Sequence, residues 1–142
     1  MTRLLLFCAL LLPSPLLGAQ CSSDQYLISG MVRDAKGTPI VGATVQVLLD
    51  VISEKKFHEY GVRARSFHTD DSGRYIADLD CTGEHLDRPS PCAKKPRDLT
   101  IAASAVGYRG RLRSFKLKKL PVDEVFDLCT VEVPDLALSI DR

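Results

Sequence analysis

Ile28-Ser-Gly-Met-Val-Arg-Asp-Ala-Lys-Gly-Thr-Pro-Ile-Val-Gly-Ala-Thr-Val-Gln-Val47 reads as two apolar strands joined by turn chemistry, and it decides the fold. In Asp34-Ala-Lys-Gly37 the aspartate can cap its own backbone and the glycine can take a positive φ. Thr38-Pro39 stiffens the exit, and Gly42 leads into 43–49, where Ala43, Val45, Val47 and Leu49 share one face at period two. That face is predicted to be core. A second turn, Asp70-Asp-Ser-Gly73, answers the first: it reverses an extended segment over 62–69 into a strand over 74–79, with Tyr75, Ala77 and Leu79 on one side. No later stretch keeps a helical period, so the fold class is all-β, a small β-sandwich.

Working outward, residues 26–33 form the first strand, and 53–60 are charged and weakly patterned, a surface loop or a single helical turn. Leu99 to Val106 is the most apolar strand and is predicted to be central; Gly107-Tyr108 closes it. In the following Arg109-Gly-Arg-Leu-Arg-Ser-Phe-Lys-Leu-Lys-Lys-Leu120, strict alternation puts three arginines on the same face as Phe115 and Leu117. A bulge near Arg113-Ser114 would reset that register. The last strand is predicted over 125–133, ended by Pro134, with a frayed tail beyond it.

The ends and the cysteines set the compartment. Residues 1–19 have a short basic head, an apolar run from Leu4 to Leu12, a Pro13-Ser-Pro15 break and small residues before a cut after Ala19. That is the pattern of a secretory signal, too short to span a bilayer. The division predicted is therefore a signal peptide over 1–19, a sandwich domain over 20–133 and a tail over 134–142. A rival route, lipid attachment at Cys21, is disfavoured by Gln20, which is larger than the residue such processing takes. Cleavage removes one charge, Arg3, and leaves 18 basic against 18 acidic side chains. A neutral chain gives no electrostatic case for nucleic acid, and no later apolar run reaches transmembrane length.

Cleavage also discards Cys8, leaving Cys21, Cys81, Cys92 and Cys129. An even count in an exported chain reads as two disulfides, and the spacings do not suggest zinc. Three pairings are possible. Cys81 with Cys92 is preferred because it clips the polar stretch 82–91, leaving Cys21 with Cys129 to tie the N-terminus to the last strand.

Several short motifs resemble known families. Gly30-Met-Val-Arg-Asp34, Gly37-Thr-Pro39, Gly42-Ala-Thr-Val45, Thr69-Asp70, Gly73-Arg-Tyr75 and Ser104-Ala-Val-Gly-Tyr108 resemble, in order and spacing, the carboxypeptidase regulatory-like domain, a transthyretin-like sandwich. The resemblance runs from about Ile28 to Leu117 and implies a seven-stranded antiparallel Greek-key β-sandwich acting as a non-catalytic, stand-alone exported module. That module would bind or scaffold a protein or glycan of the cell envelope. Intradiol ring-cleavage dioxygenases share a Gly-x-Val-x-Asp opening, a Thr-Asp-x-x-Gly-x-Tyr hairpin and an Arg-Pro-x-His-Ile-His segment, and hold iron with two tyrosines and two histidines. The comparable segment here is Lys95-Pro-Arg-Asp-Leu-Thr100, followed by Ala105-Val-Gly-Tyr-Arg109; both histidines are missing. A degenerate enzyme of this type is the alternative. A third resemblance, of Tyr108-Arg-Gly110 to the end of hydroxyisourate hydrolases, falls mid-chain and continues into Arg111.

No catalytic residue, metal site or cofactor is expected from the remaining side chains, so the chain reads as not an enzyme. His58, His68 and His85 have no spacing that fixes a metal, Asp70-Asp-Ser-Gly73 is explained by its turn, and no nucleophile elbow is present. The basic run Arg109, Arg111, Arg113, Lys116, Lys118 and Lys119 contains no acid, whereas Asp123, Glu124, Asp127, Glu132 and Asp135 follow closely. Neutralisation across adjacent strands is the first reading of it; a patch for an anionic partner is the second.

Overall fold

In the computed structural model, the described residues are 21, 23–50, 64–82, 90–93 and 96–141. The expected signal segment, the charged loop over 53–60, His58 and His85 lie outside them. Nine strands are described: β1 (Gln25–Asp34), β2 (Thr44–Asp50), β3 (Arg65–His68), β4 (Arg74–Asp80), β5 (Asp98–Ser104), β6 (Arg111–Lys116), β7 (Val122–Val125), β8 (Leu128–Glu132) and β9 (Leu136–Leu138). They form two sheets. The four-stranded sheet has the order β3-β2-β5-β6; the other runs β4-β1-β8-β7, with β9 also on β1. No helix among the described residues is long and apolar enough to cross a membrane.

Alternation builds the core between the sheets. Ile28 and Val32 from β1, Val45, Val47 and Leu49 from β2, Tyr75, Ala77 and Leu79 from β4, and Leu99 and Ile101 from β5 are all buried in one cluster. Those of β2 and β4 come from the predicted inward faces of their strands. Burying an aliphatic side chain of this size is worth about 1.5–3 kcal/mol, which is why period two, once started by a turn, persists along each strand.

The two turns are stitched together. Asp34 Oδ1 accepts hydrogen bonds from the Lys36 and Thr38 amides at 2.8 and 2.9 Å, and Asp70 Oδ1 accepts from the Ser72 amide, the Ser72 hydroxyl and the Arg74 amide. Thr69 is buried between them: its hydroxyl donates to the Ile40 carbonyl and accepts from the Ala43 amide. Gly73 holds φ +75, and a Cβ there would sit 2.8 Å from both Pro39 Cβ and the Val32 carbonyl oxygen. Gly73→Val therefore combines left-handed strain with a backbone clash, and its expected cost is about 2–4 kcal/mol in a urea unfolding curve. The hydrogen bonds to Asp70, led by that from the Ser72 hydroxyl, hold its carboxyl below the ordinary carboxylate range. A depressed folded-state pKa contributes stability above the unfolded value and loses it as pH falls through the folded one. Asp70→Asn should accordingly flatten the fall in stability through the acid range, checked by unfolding between neutral pH and pH ~3.

Gly30 on β1 lies against the Tyr75 ring, where a Cβ would come within 2.8 Å of the ring carbon that bears the hydroxyl. Only glycine leaves room for that ring in the core. Burial pushes the Tyr75 hydroxyl well above the usual tyrosine range, and that oxygen has no hydrogen-bond partner among the described residues.

The structure departs from the sequence reading at the C-terminal half. The sandwich is all-β and two-layered as expected, but nine strands are described rather than seven, and the pairing is not purely antiparallel. Both β8 and β9 run parallel to β1, β8 along Gln25–Ser29 and β9 along Val32–Asp34. Pro134 interrupts pairing between them, yet the chain continues up the same edge of β1. Leu136 and Leu138 are buried there, so this segment is a strand where fraying was expected. The predicted bulge near Arg113-Ser114 is also absent: β6 keeps an unbroken register with β5 from Arg111 to Lys116. Because β6 is an edge strand, Arg111 and Arg113 can share the face of Phe115 and still reach out of the sandwich. The Arg113 guanidinium lies 5.2 Å from the Phe115 ring centre, and Arg111 donates to the Ala137 carbonyl at 3.0 Å.

Candidate functional site

The outward face of β5 and β6 collects the polar groups that the core does not use. Residues directly opposite each other in an antiparallel pair point to the same side. Asp98 faces Lys116, Thr100 faces Ser114, and Ala102 faces Leu112, all on the side away from Leu99 and Ile101. On the neighbouring β2, Leu48 is opposite Thr100. Leu48 is fully buried although it points away from the main core, and it packs with Ala64, Ala102 and Leu112 as a second, smaller apolar layer.

Asp98 and Lys116 form an ion pair with Oδ1 and Nζ 2.7 Å apart. The carboxylate side chain is 8% exposed and the lysine 59%, so a buried anion holds a cation at the rim. The contact is ionic rather than a well-aligned hydrogen bond, since Oδ1 meets no donor in hydrogen-bond geometry. Beside it, the Thr100 and Ser114 hydroxyls are 2.9 Å apart. The arrangement is therefore a supported ammonium, a hydroxyl pair and an apolar floor.

This is the place where the dioxygenase resemblance puts its two histidines, and the structure shows that Asp98 and Thr100 do share one face, one strand period apart. Among the described residues, the remaining donors do not fit a centre of two tyrosines and two histidines. Asp98 is engaged by Lys116 and Thr100 by Ser114. Tyr26 and Tyr75 are core residues, and Tyr108 pairs with Ile140 beyond the opposite end of β5. His68 is exposed at the end of β3. The one grouping of metal-ligand types found among the described residues, Cys21, Glu124 and Cys129, contains two sulfurs already bonded to each other.

Both disulfides have the preferred connectivity: Cys21 with Cys129 and Cys81 with Cys92, their Cα atoms 5.9 and 5.4 Å apart. The basic run is not one patch. Arg111 and Arg113 point to the inner side of β6, Lys116 to the outer face with Asp98, and Lys118 and Lys119 stand exposed on the 3₁₀ turn Leu117–Lys119. The expected neutralisation against the acidic run does not form across a shared ladder, because β6 belongs to one sheet and β7 and β8 to the other. The ion pair to Asp98 was missed in the sequence. Its signal is present, since Asp98 and Lys116 are equidistant from Gly107, the centre of the β5–β6 hairpin.

No protein-family model matches this chain, and no curated protein matches it. Solved structures do. The catechol 1,2-dioxygenase of Acinetobacter radioresistens superposes with a TM-score of 0.55 at 20% identity, over 85% of this chain and 53% of that one. The 3-chlorocatechol 1,2-dioxygenase of Rhodococcus opacus 1CP gives 0.54 at 13% identity, over 84% of this chain and 61% of that one. The hydroxyquinol 1,2-dioxygenase of Pseudomonas putida DLL-E4 gives 0.52 at 15% identity, over 88% and 59%. The chain thus spans little more than half the length of these enzymes.

These neighbours overturn the carboxypeptidase regulatory-like assignment, and with it the transthyretin-like label, the non-catalytic scaffold role and the reading of the chain as not an enzyme. The physical reason is that the motifs supporting that assignment are turn chemistry. Asp34, Gly37, Asp70 and Gly73 close hairpins in any sandwich that needs those reversals, and so they do not discriminate between two sandwich families. The arrangement of strands over most of the chain does, and it is the fold found in intradiol dioxygenases.

Proposed function

We propose that this chain is a degenerate enzyme of the intradiol dioxygenase type, its described residues offering no set of two tyrosines and two histidines for iron, that binds a catechol-like aromatic diol at the rim of the outer β5–β6 face. The observation that carries the reading is the Lys116 ammonium, exposed at the rim and held by buried Asp98 at the β5 position comparable to an iron-binding histidine. The structural neighbours are named for catechol, 3-chlorocatechol and hydroxyquinol, all ring-hydroxylated aromatics. A diol hydroxyl placed beside an ammonium ionises more readily, because the positive charge favours the phenolate. Ser114 offers a hydroxyl partner to the second oxygen, and Leu112 with Ala102 offers an apolar surface to the ring. Asp98 is a positioning residue in this scheme. It fixes the lysine without touching the diol.

Calorimetric titration with catechol, followed in parallel by the absorbance of the phenolate, tests the proposal. Saturable one-site binding is expected, with the bound diol ionising at lower pH than the free one. Lys116→Met should weaken binding about tenfold or more and abolish the shift in ionisation. A folded wild-type protein that binds none of catechol, 3-chlorocatechol and hydroxyquinol overturns the reading.

The two disulfides support an exported location for the same protein. Cys21 commits its sulfur to Cys129, and that sulfur is the atom a lipid anchor at this residue would need.

A further inference from the structure

Two sheet edges of opposite charge border the same side of this sandwich. Among the described residues, β6 ends the four-stranded sheet and pairs only with β5, while β7 ends the other sheet and pairs only with β8. Residues 117–121 connect them directly, so the two edges lie side by side. Of the six cations from Arg109 to Lys119, Arg111 and Arg113 point to the inner side of β6 and Lys116 pairs with Asp98, which leaves Lys118 and Lys119 just past the end of β6; from Val122 to Glu132 there are Asp123, Glu124, Asp127 and Glu132 and no base. Asp123, Asp127, Lys118 and Lys119 are exposed, and none of these four is in an ion pair among the described residues.

The tip of the β7–β8 hairpin adds an apolar anchor. Phe126 and Asp127 hold φ of 50° and 60°, the pattern of a primed hairpin turn made without glycine, and Phe126 is 99% exposed. Val125 beside it is exposed as well. A non-glycine pair in the left-handed region costs free energy, and here that cost holds an aromatic ring out in solvent.

Charge on a sheet edge ordinarily keeps copies apart, which works when both edges carry the same sign. Opposite signs on two adjacent edges do the reverse. A two-fold axis running along the strands lays β6 of one copy against β7 of the other and, by the same rotation, β7 against β6. Both edges are then satisfied at once. We propose that this side is a homodimer interface in which the edge of β6 in each copy pairs with the edge of β7 in the other, joining the sheets of the two copies. Main-chain hydrogen bonds supply affinity, and the charge pattern fixes which edges meet. Phe126 and Val125 become covered at the ends of the seam.

Sedimentation of the purified protein across a concentration series tests this. A dimer is expected at low ionic strength, with its dissociation constant rising about tenfold or more when the salt is raised enough to screen the edges. The variant Asp123→Lys, Asp127→Lys should be monomeric with an unchanged circular dichroism spectrum. Adding Lys118→Glu and Lys119→Glu to it should restore the dimer by swapping the two signs. A wild-type protein that stays monomeric at low salt overturns the proposal, and so does a dimer indifferent to the reversal. None of these four residues belongs to the Asp98–Lys116 pair, so the result is independent of diol binding.

Discussion

The double substitution Cys21→Ser, Cys129→Ser lowers the unfolding free energy by roughly 4–5 kcal/mol. The bond joins residues 108 apart in sequence, so its loss frees the unfolded chain of a very long loop constraint; the chain-entropy model gives ~4.8 kcal/mol for that length. The short bridge, with a separation of 11, is worth less, ~2.8 kcal/mol by the same model. Cys129 is fully buried on β8, opposite Tyr26 of β1, so the long bridge pins the strand that begins the fold to one near its end. Urea unfolding of the serine variants, with thiol titration of the denatured and unreduced wild type, checks both statements. No reactive thiol from these four cysteines is expected in the wild type.

The second large effect comes from taking Lys116 away. Lys116→Met leaves the Asp98 carboxylate buried without its cation, and the expected loss is about 2–3 kcal/mol, below the range for fully buried pairs because the lysine is itself more than half exposed. Asp98→Asn combined with Lys116→Met should recover most of that loss, since the charge that needed a partner is gone as well. A double-mutant cycle measured by chemical unfolding yields the coupling directly. Additive losses, with the double variant destabilised by the sum of the Asp98→Asn and Lys116→Met variants, would mean that the pair contributes nothing beyond packing.

How far the sequence carried the argument can be seen residue by residue. The turn at Asp34–Gly37, the turn at Asp70–Gly73 and the inward faces of β2 and β4 were legible because local chemistry determines them: an aspartate caps its own amides, and period two is read directly. The C-terminal strands were not, because β9 exists only through pairing with β1 about a hundred residues earlier, and nothing local in Leu136-Ala-Leu138 distinguishes a strand from a tail. Arg113 misled for a related reason. Alternation rules assume that one face is dry, and on an edge strand the inner face is open at its side. At the candidate site, Asp98 and Thr100 were legible as positions and as the loss of two histidines. Lys116 was assigned instead to a block of surface charge, because pairing it with Asp98 depends on the register of a whole hairpin. The family was misjudged for the most general reason of all: turn motifs report that a hairpin exists and carry no information about how the strands are ordered in space.

The central claim, that the outer β5–β6 face receives an aromatic diol, is tested most directly by methyl-selective NMR of the wild-type protein titrated with catechol. The account predicts saturable shifts for the methyl groups of Leu112, Leu48 and Thr100, with none for those of Val125 and Leu128 in the β7–β8 hairpin. Titration to saturation with no shift at Leu112, or with shifts confined to residues away from β5 and β6, would contradict it.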